Sequence, residues 1–338
     1  MNISLRKKKS VTLKDLSEQL GLSVHTVSKA LRGLPGMSEG TRSEVIRRAQ
    51  EAGYRTKEQE RAHAVEQIPL YTRKPFRFAL VISDHPSAIE LNQLILAGLQ
   101  QKLSEYGHSI ETVIIPYEFK EGESLQDWAD IHQLEYMDGI FIPPMVGLEQ
   151  EEHLLRYSIP RILINFPGHA AEVDSIAWDV GTAIHQSVRY LLSKGHRKII
   201  YVGRKEGHRG FVIRWQSFEK AMADAGLECH PDDHMVEFGD WNVRLVEKLE
   251  RVQPTAILCA TGMDLAWIYH ACGLLGKRIP DDISLISMQH VENQHVPQLS
   301  RPLIMIRESG IRAAERMLWR IANPHHPYQQ LMTQVTSL

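Results

Sequence analysis

The sequence predicts an α/β protein in two unlike parts: a small all-α head at the N-terminus and a large body of parallel sheets with helices on both faces. Three observations carry this. The first 56 residues hold short helical apolar spacings punctuated by capping residues and glycines. From Phe76 onward, short apolar runs alternate with helical segments, the pattern of parallel strands joined by crossover helices. Charge divides at the same place. Residues 1–56 carry eleven Lys and Arg against five Asp and Glu, a surplus of +6, while the rest of the 338-residue chain carries −8. A basic head on an acidic body is the charge layout of a nucleic-acid reader attached to a second function.

In the head, Leu13, Leu16 and Leu20 stand at helical spacing. Thr12 with Asp15 three residues on reads as a capping box, and Gly21 is placed to end the helix in the left-handed region. Ser23 caps a second helix with Val27, Ala30 and Leu31 as its buried stripe, and Gly33, Pro35 and Gly36 break it. Ser38 caps a third, with Val45, Ile46 and Ala49 inward and Gly53 as its stop. Three short helices with a tight turn between the first two predict a helix-turn-helix. Burying Val27, Ala30 and Leu31 leaves Val24, His25, Ser28 and Lys29 outside, toward base edges and phosphates of a major groove.

The body continues as strands at 78–83, 112–116, 139–144, 160–165, 176–178, 198–203, 255–260 and 283–288. Helices are expected over 91–106, 182–193, 217–225, 242–251 and 265–275. About 260 residues is too much for one sheet, so two lobes are expected.

Other classes are excluded by what the chain lacks. The three cysteines, Cys229, Cys259 and Cys272, form no CxxC pair and fit a reducing compartment. His230 and His234 lie in a polar loop with no further ligands at metal-binding spacing. No metal or cofactor is expected. Neither a membrane span nor a signal peptide is present, so a cytoplasmic location is expected. The phosphate-loop, dinucleotide, nucleophile-elbow and zinc-protease signatures are missing, which argues against an enzyme.

The segment from Val11 to Arg55 resembles the head of LacI/GalR-type transcriptional regulators. The marks are Thr12-Leu13-Lys14-Asp15, Gly21-Leu22-Ser23, Thr26-Val27-Ser28, Ser38, Thr41-Arg42 and Gly53-Tyr54. The resemblance implies a head at 10–56 in which Val24, His25 and Lys29 face bases. It implies that Thr12, Ser23, Thr26, Ser28, Ser38, Thr41 and Tyr54 hold phosphates or the fold around them. It further implies a homodimer on an inverted-repeat operator in double-stranded DNA. A linker at 57–75 follows, in which the family presses an alanine and a leucine of a hinge helix into the minor groove. Here Glu60 and His63 take those places. A carboxylate is repelled there, and a histidine reads a narrow groove but makes a poor wedge. His63 is retained as a DNA-contacting candidate.

In the body, Asp138-Gly139-Ile140, the stretch Leu191 to Ile199, Gly239-Asp240-Trp241 and the stretch Ile279 to Ser284 are similar to family landmarks. They imply a two-lobed body of the type I periplasmic-binding-protein kind at 76–338, one lobe from 76–168 with 302–322 and the other from 169–301 with 323–338. The ligand of such a body lies in the cleft between lobes. The resemblance assigns effector contact to Arg214 and Trp241, with Asp264 displaced by two from a family acid. Three other family contacts fall on Leu91-Asn92, Thr261-Gly262 and Gln289-His290. Carboxylates that would accept hydrogen bonds from sugar hydroxyls are thinned out. The expectation is a DNA-binding repressor that responds to a small polar effector, anionic or sugar-derived. The alternative is a regulator whose body has lost ligand binding and serves dimerisation or partner docking.

Overall fold

The computed structural model describes residues 11–32, 34–52, 54, 74–85, 88–169, 171–237, 241–261, 265–290, 296 and 299–335. The chain divides into two compact units, residues 1–67 and 68–338.

The first unit contains α1 (Leu13–Leu20), α2 (Val24–Leu31) and α3 (Glu39–Glu51). Its caps are local and were legible. The Asp15 N–H donates to Thr12 Oγ1 at 3.2 Å while the Thr12 N–H donates to the Asp15 carboxylate at 2.7 Å. Gly21 closes α1 at φ +61°, a left-handed conformation that side chains disfavour. Ser23 Oγ accepts from the Thr26 N–H and Ser38 Oγ from the Thr41 N–H, each at 3.1 Å. Leu16, Val27, Ala30, Val45 and Ala49 form the core, with Leu13, Leu20 and Leu31 packed against it. Ile46 corrects an expectation. One residue beyond Val45 turns about 100° around a helix, and Ile46 is left 38% exposed.

The second unit holds two parallel sheets. The first has the order β2 (Ser109–Ile115), β1 (Arg77–Ser83), β3 (Gly139–Ile142), β4 (Arg161–Leu163), β5 (Asp174–Trp178) and β9 (Gln330–Thr333). The second has β6 (Ile199–Val202), β7 (Ala256–Cys259) and β8 (Ser284–Ser287). The division of lobes implied by the resemblance is therefore corrected at both crossings. Ile162 pairs with Asp174 and Ser175 with Gln330, so β5 and β9 extend the first sheet instead of belonging to the second lobe.

Helices fill the connections: α4 (Ile89–Glu105), α5 (Leu125–Ile131), α6 (Leu148–Leu154), α7 (Val180–Ser193), α8 (Arg209–Asp224), α9 (Trp241–Val252), α10 (Leu265–Leu274) and α11 (Ile306–Ala322). Helix α11 runs back onto α4. A Cβ at Gly98 would collide with the Arg307 carbonyl and one at Gly310 with the Ile95 carbonyl, so two glycines permit the close approach.

A fully buried carboxylate fastens this return. Asp174 accepts from Arg316 Nε at 2.9 Å, Arg316 Nη2 at 2.6 Å, Arg320 Nε at 2.5 Å and the Gln329 N–H at 2.9 Å. Arg320 also donates to the carbonyls of His326 and Pro327, which aligns the chain entering β9. Among the described residues no helix is long and apolar enough to cross a membrane.

Candidate functional site

Two surfaces carry chemistry, and they lie in different units. In the head, the buried stripe of α2 sets the outward face. Val27 and Ala30 are buried, while Val24 is 44% exposed, His25 is exposed, and Ser28 and Lys29 are half-buried. Thr12, Ser23 and Ser38 spend their hydroxyls on helix caps, and the hydroxyls of Thr26 and Thr41 each sit 2.8 Å from a capping serine. These residues shape the fold around α2. Tyr54 packs at the edge of the head core and its N–H donates to the Ala49 carbonyl at 2.8 Å.

The charge of the head is not spread evenly. On α3, Arg47 and Arg48 pair with Glu44 and Glu51. Lys29 on α2 and Arg32 at its C-cap pair with no carboxylate among the described residues. Among the described residues of the head, the cations left without a carboxylate therefore sit on or at the end of the outward helix, and Arg32 joins the predicted set. His63 and Glu60 lie outside the described residues, as does the segment expected to act as a hinge.

In the body, a cavity of about 140 Å³ opens between the ends of β3, β4 and β5 on one side and the N-terminal half of α8 with the ends of β7 and β8 on the other. Arg214 lines it, as the resemblance implied. The residue is 7% exposed, and its guanidinium donates through Nη1 to the Ala260 carbonyl at 2.7 Å. No carboxylate pairs with it among the described residues, and its Nε has no hydrogen-bond partner. Burial away from opposite charge holds its pKa below the usual arginine range.

Leu91, Thr261 and His290, three positions where the chain departs from the family contacts, all line this cavity. The departures are therefore concentrated where a ligand would sit. Burial and the neighbouring Arg214 and Arg301 pull His290 down to about 3. Burial, His85, Arg204 and Arg209 pull His208, another lining residue, down to about 4. Both imidazoles are neutral near pH 7.

Trp241 starts α9, packs against the cluster of Leu245, Leu249 and Met235, and is not among the residues lining the cavity. The aromatic surfaces of the cavity include Phe166, Trp178 and Phe211; of these the sequence pattern places only Trp178 in an element, the strand at 176–178. Asp264 lies outside the described residues. His230 and His234 bracket a turn, with the His234 ring buried against Trp215 and Phe218.

The comparisons with known proteins agree with this geometry. The family described as "Periplasmic binding protein-like domain" matches residues 188–338. The HTH-type transcriptional regulator AglR of Rhizobium meliloti is 28% identical over 95% of this chain and 91% of its own length. The ribose operon repressor of Haemophilus influenzae is 23% identical over 96% of each. A solved transcriptional regulator, CelR in complex with cellobiose, superposes with a TM-score of 0.66 at 20% identity, covering 96% of this chain and 98% of that one. The lac repressor dimer bound to operator and an anti-inducer gives 0.63 at 18% identity and 97% coverage of both.

Proposed function

We propose that this chain is a LacI/GalR-type transcriptional regulator, and that it represses transcription by binding an inverted-repeat operator as a homodimer, under the control of a small anionic effector. Val24, His25 and Lys29 read bases, while Ser28 and Thr41 position the backbone. One head has too small a footprint for tight binding, and the relative solved as a dimer on its operator supports two heads on two half-sites.

The observation that carries the effector assignment is Arg214. An arginine 7% exposed, without a carboxylate partner among the described residues, stands beside a cavity. Burying an unpaired charge is costly, and a ligand anion supplies the missing partner. The fork of donors left to Arg214 suits a carboxylate or phosphate. Ligand binding shifts operator affinity only as far as it favours one lobe arrangement over the other.

The experiment is a thermal-shift screen followed by operator titration. A ligand that binds the native state raises the melting temperature. Arg214→Ala is expected to abolish that rise and the ligand's effect on DNA, with operator binding in the absence of ligand retained. Normal ligand binding by Arg214→Ala contradicts the assignment.

A further inference from the structure

The walls of the cleft cavity differ in chemistry, and the difference follows the two lobes. The first-lobe side presents Leu91, Pro144 and Met145, together with the rings of Phe166 and Trp178. The second-lobe side presents Arg204, His208, Arg214, Thr261 and His290, with the Phe211 ring among them. The described lining contains no carboxylate. Asn165 sits at the seam, its amide oxygen taken by the Phe166 N–H at 2.8 Å. On the second-lobe wall, Arg214 Nε and His290 Nδ1 are buried without partners among the described residues.

A sugar ring carries hydroxyls around its whole rim. Against this first-lobe wall those on one side would be desolvated with no acceptor, at roughly 1–3 kcal/mol for each unmet group. A hydrocarbon face meets the same wall without that cost and gains from its burial. The cavity, at about 140 Å³, is also small beside the 300–1,000 Å³ of drug-sized sites.

We infer that the effector is a compact amphipathic carboxylate, with a hydrocarbon ring or branched chain against Leu91, Met145 and Phe166 and its carboxylate on Arg214 and His290. This rests on the proposal that the cavity takes an anion, and adds that the rest of the ligand is apolar. Phe166 acts here as a specificity residue, since its ring faces the ligand while its carbonyl is held by Arg209 Nε at 2.6 Å.

The test is calorimetric titration and thermal shift of the full chain with benzoate, cyclohexanecarboxylate, gluconate and glucose. Benzoate and cyclohexanecarboxylate are expected to bind and raise the melting temperature, and the other two to do neither. Arg214→Gln is expected to weaken the two acids by about tenfold or more, the worth of a charged hydrogen bond. Phe166→Ala, which leaves the arginine in place, is expected to weaken them to a similar degree. Cooperative thermal unfolding of each variant checks that it is folded. Gluconate binding in place of the hydrocarbon acids overturns this inference and leaves the anionic reading standing. Binding of glucose alone overturns both. Failure of benzoate and cyclohexanecarboxylate to bind overturns the apolar-acid inference, whatever anion a wider screen finds.

Discussion

Arg209 on α8 and Glu151 on α6 form an ion pair across the cleft, and the same guanidinium donates through Nε to the Phe166 carbonyl beside the cavity. The pair is asymmetric. The Glu151 side chain is 5% exposed and that of Arg209 26%. Burial raises the Glu151 carboxyl above the usual range, and the Arg209 contact offsets part of that shift.

This asymmetry gives the first prediction. Arg209→Met leaves a buried carboxylate without its partner and is expected to cost roughly 3 kcal/mol. Glu151→Gln leaves an arginine that water can reach and is expected to cost less than about 1 kcal/mol. The deficit of Arg209→Met carries a pH signature. An acid whose folded pKa is raised keeps its stability below the unfolded pKa and loses it as pH rises through the folded value. The deficit should therefore shrink as pH falls through the carboxylate range. Denaturant titrations of both variants across pH measure this, and equal costs for the two at neutral pH would count against the pair as described.

A second prediction concerns His234. Its Nδ1 accepts from the Tyr201 N–H at 3.0 Å, and its ring is 5% exposed. Burial pulls it from 6.5 to about 4, with Lys248 and His230 adding to the shift and Asp233 opposing it. For a group with a depressed folded pKa, its stabilising contribution is present above the unfolded value and is lost as pH falls through the folded one. The window is thus about pH 6.5 down to 4, and the loss is on the order of 1–3 kcal/mol. His234→Gln should flatten that part of the stability profile. An unchanged slope between wild type and variant contradicts it.

These residues show how much of the molecule could be read from its sequence. Caps such as Thr12 with Asp15, and Ser23 with Thr26, depend on neighbours three residues apart and were legible, as were the apolar runs of β1, β3 and β7. Asp174 was not, because its partners Arg316 and Arg320 lie 142 and 146 residues away. Strand β9 was missed because three of its four residues are exposed on an edge and form no apolar run. In the cleft, Arg214 and Trp241 were both singled out through family resemblance; Arg214 lines the cavity and Trp241 is not among its lining residues. Trp178 and His290 reach the cavity only because strand ends converge there, which local pattern does not reveal.

The third prediction follows from that distant contact. Asp174→Ala leaves two buried guanidinium groups without their shared carboxylate and should destabilise the body by roughly 3–5 kcal/mol. Replacing Trp319, over which Arg316 stacks at 3.7 Å, with Leu should cost about 1–2 kcal/mol. Thermal and urea unfolding measure both. A cost for Asp174→Ala as small as that of an exposed ion pair would contradict the role given to this carboxylate.

The fourth prediction separates base reading from phosphate holding. Lys29→Ala is expected to relax preference at one or two base pairs by roughly 1–3 kcal/mol while other positions keep theirs. Arg32→Ala, at the C-cap of α2, is expected to weaken all duplexes alike and to reduce the salt dependence of binding. Uniform weakening by Lys29→Ala would remove its base-reading role.

The central claim is sequence-specific DNA binding by paired heads, and selection of duplexes from a random pool by the full-length protein tests it most directly. The account expects enrichment of an inverted repeat, bound by a homodimer at least about a thousandfold more tightly than unselected DNA at physiological salt. Failure to enrich any symmetric sequence, with equal affinity for all duplexes and a monomeric protein at micromolar concentration, would contradict it.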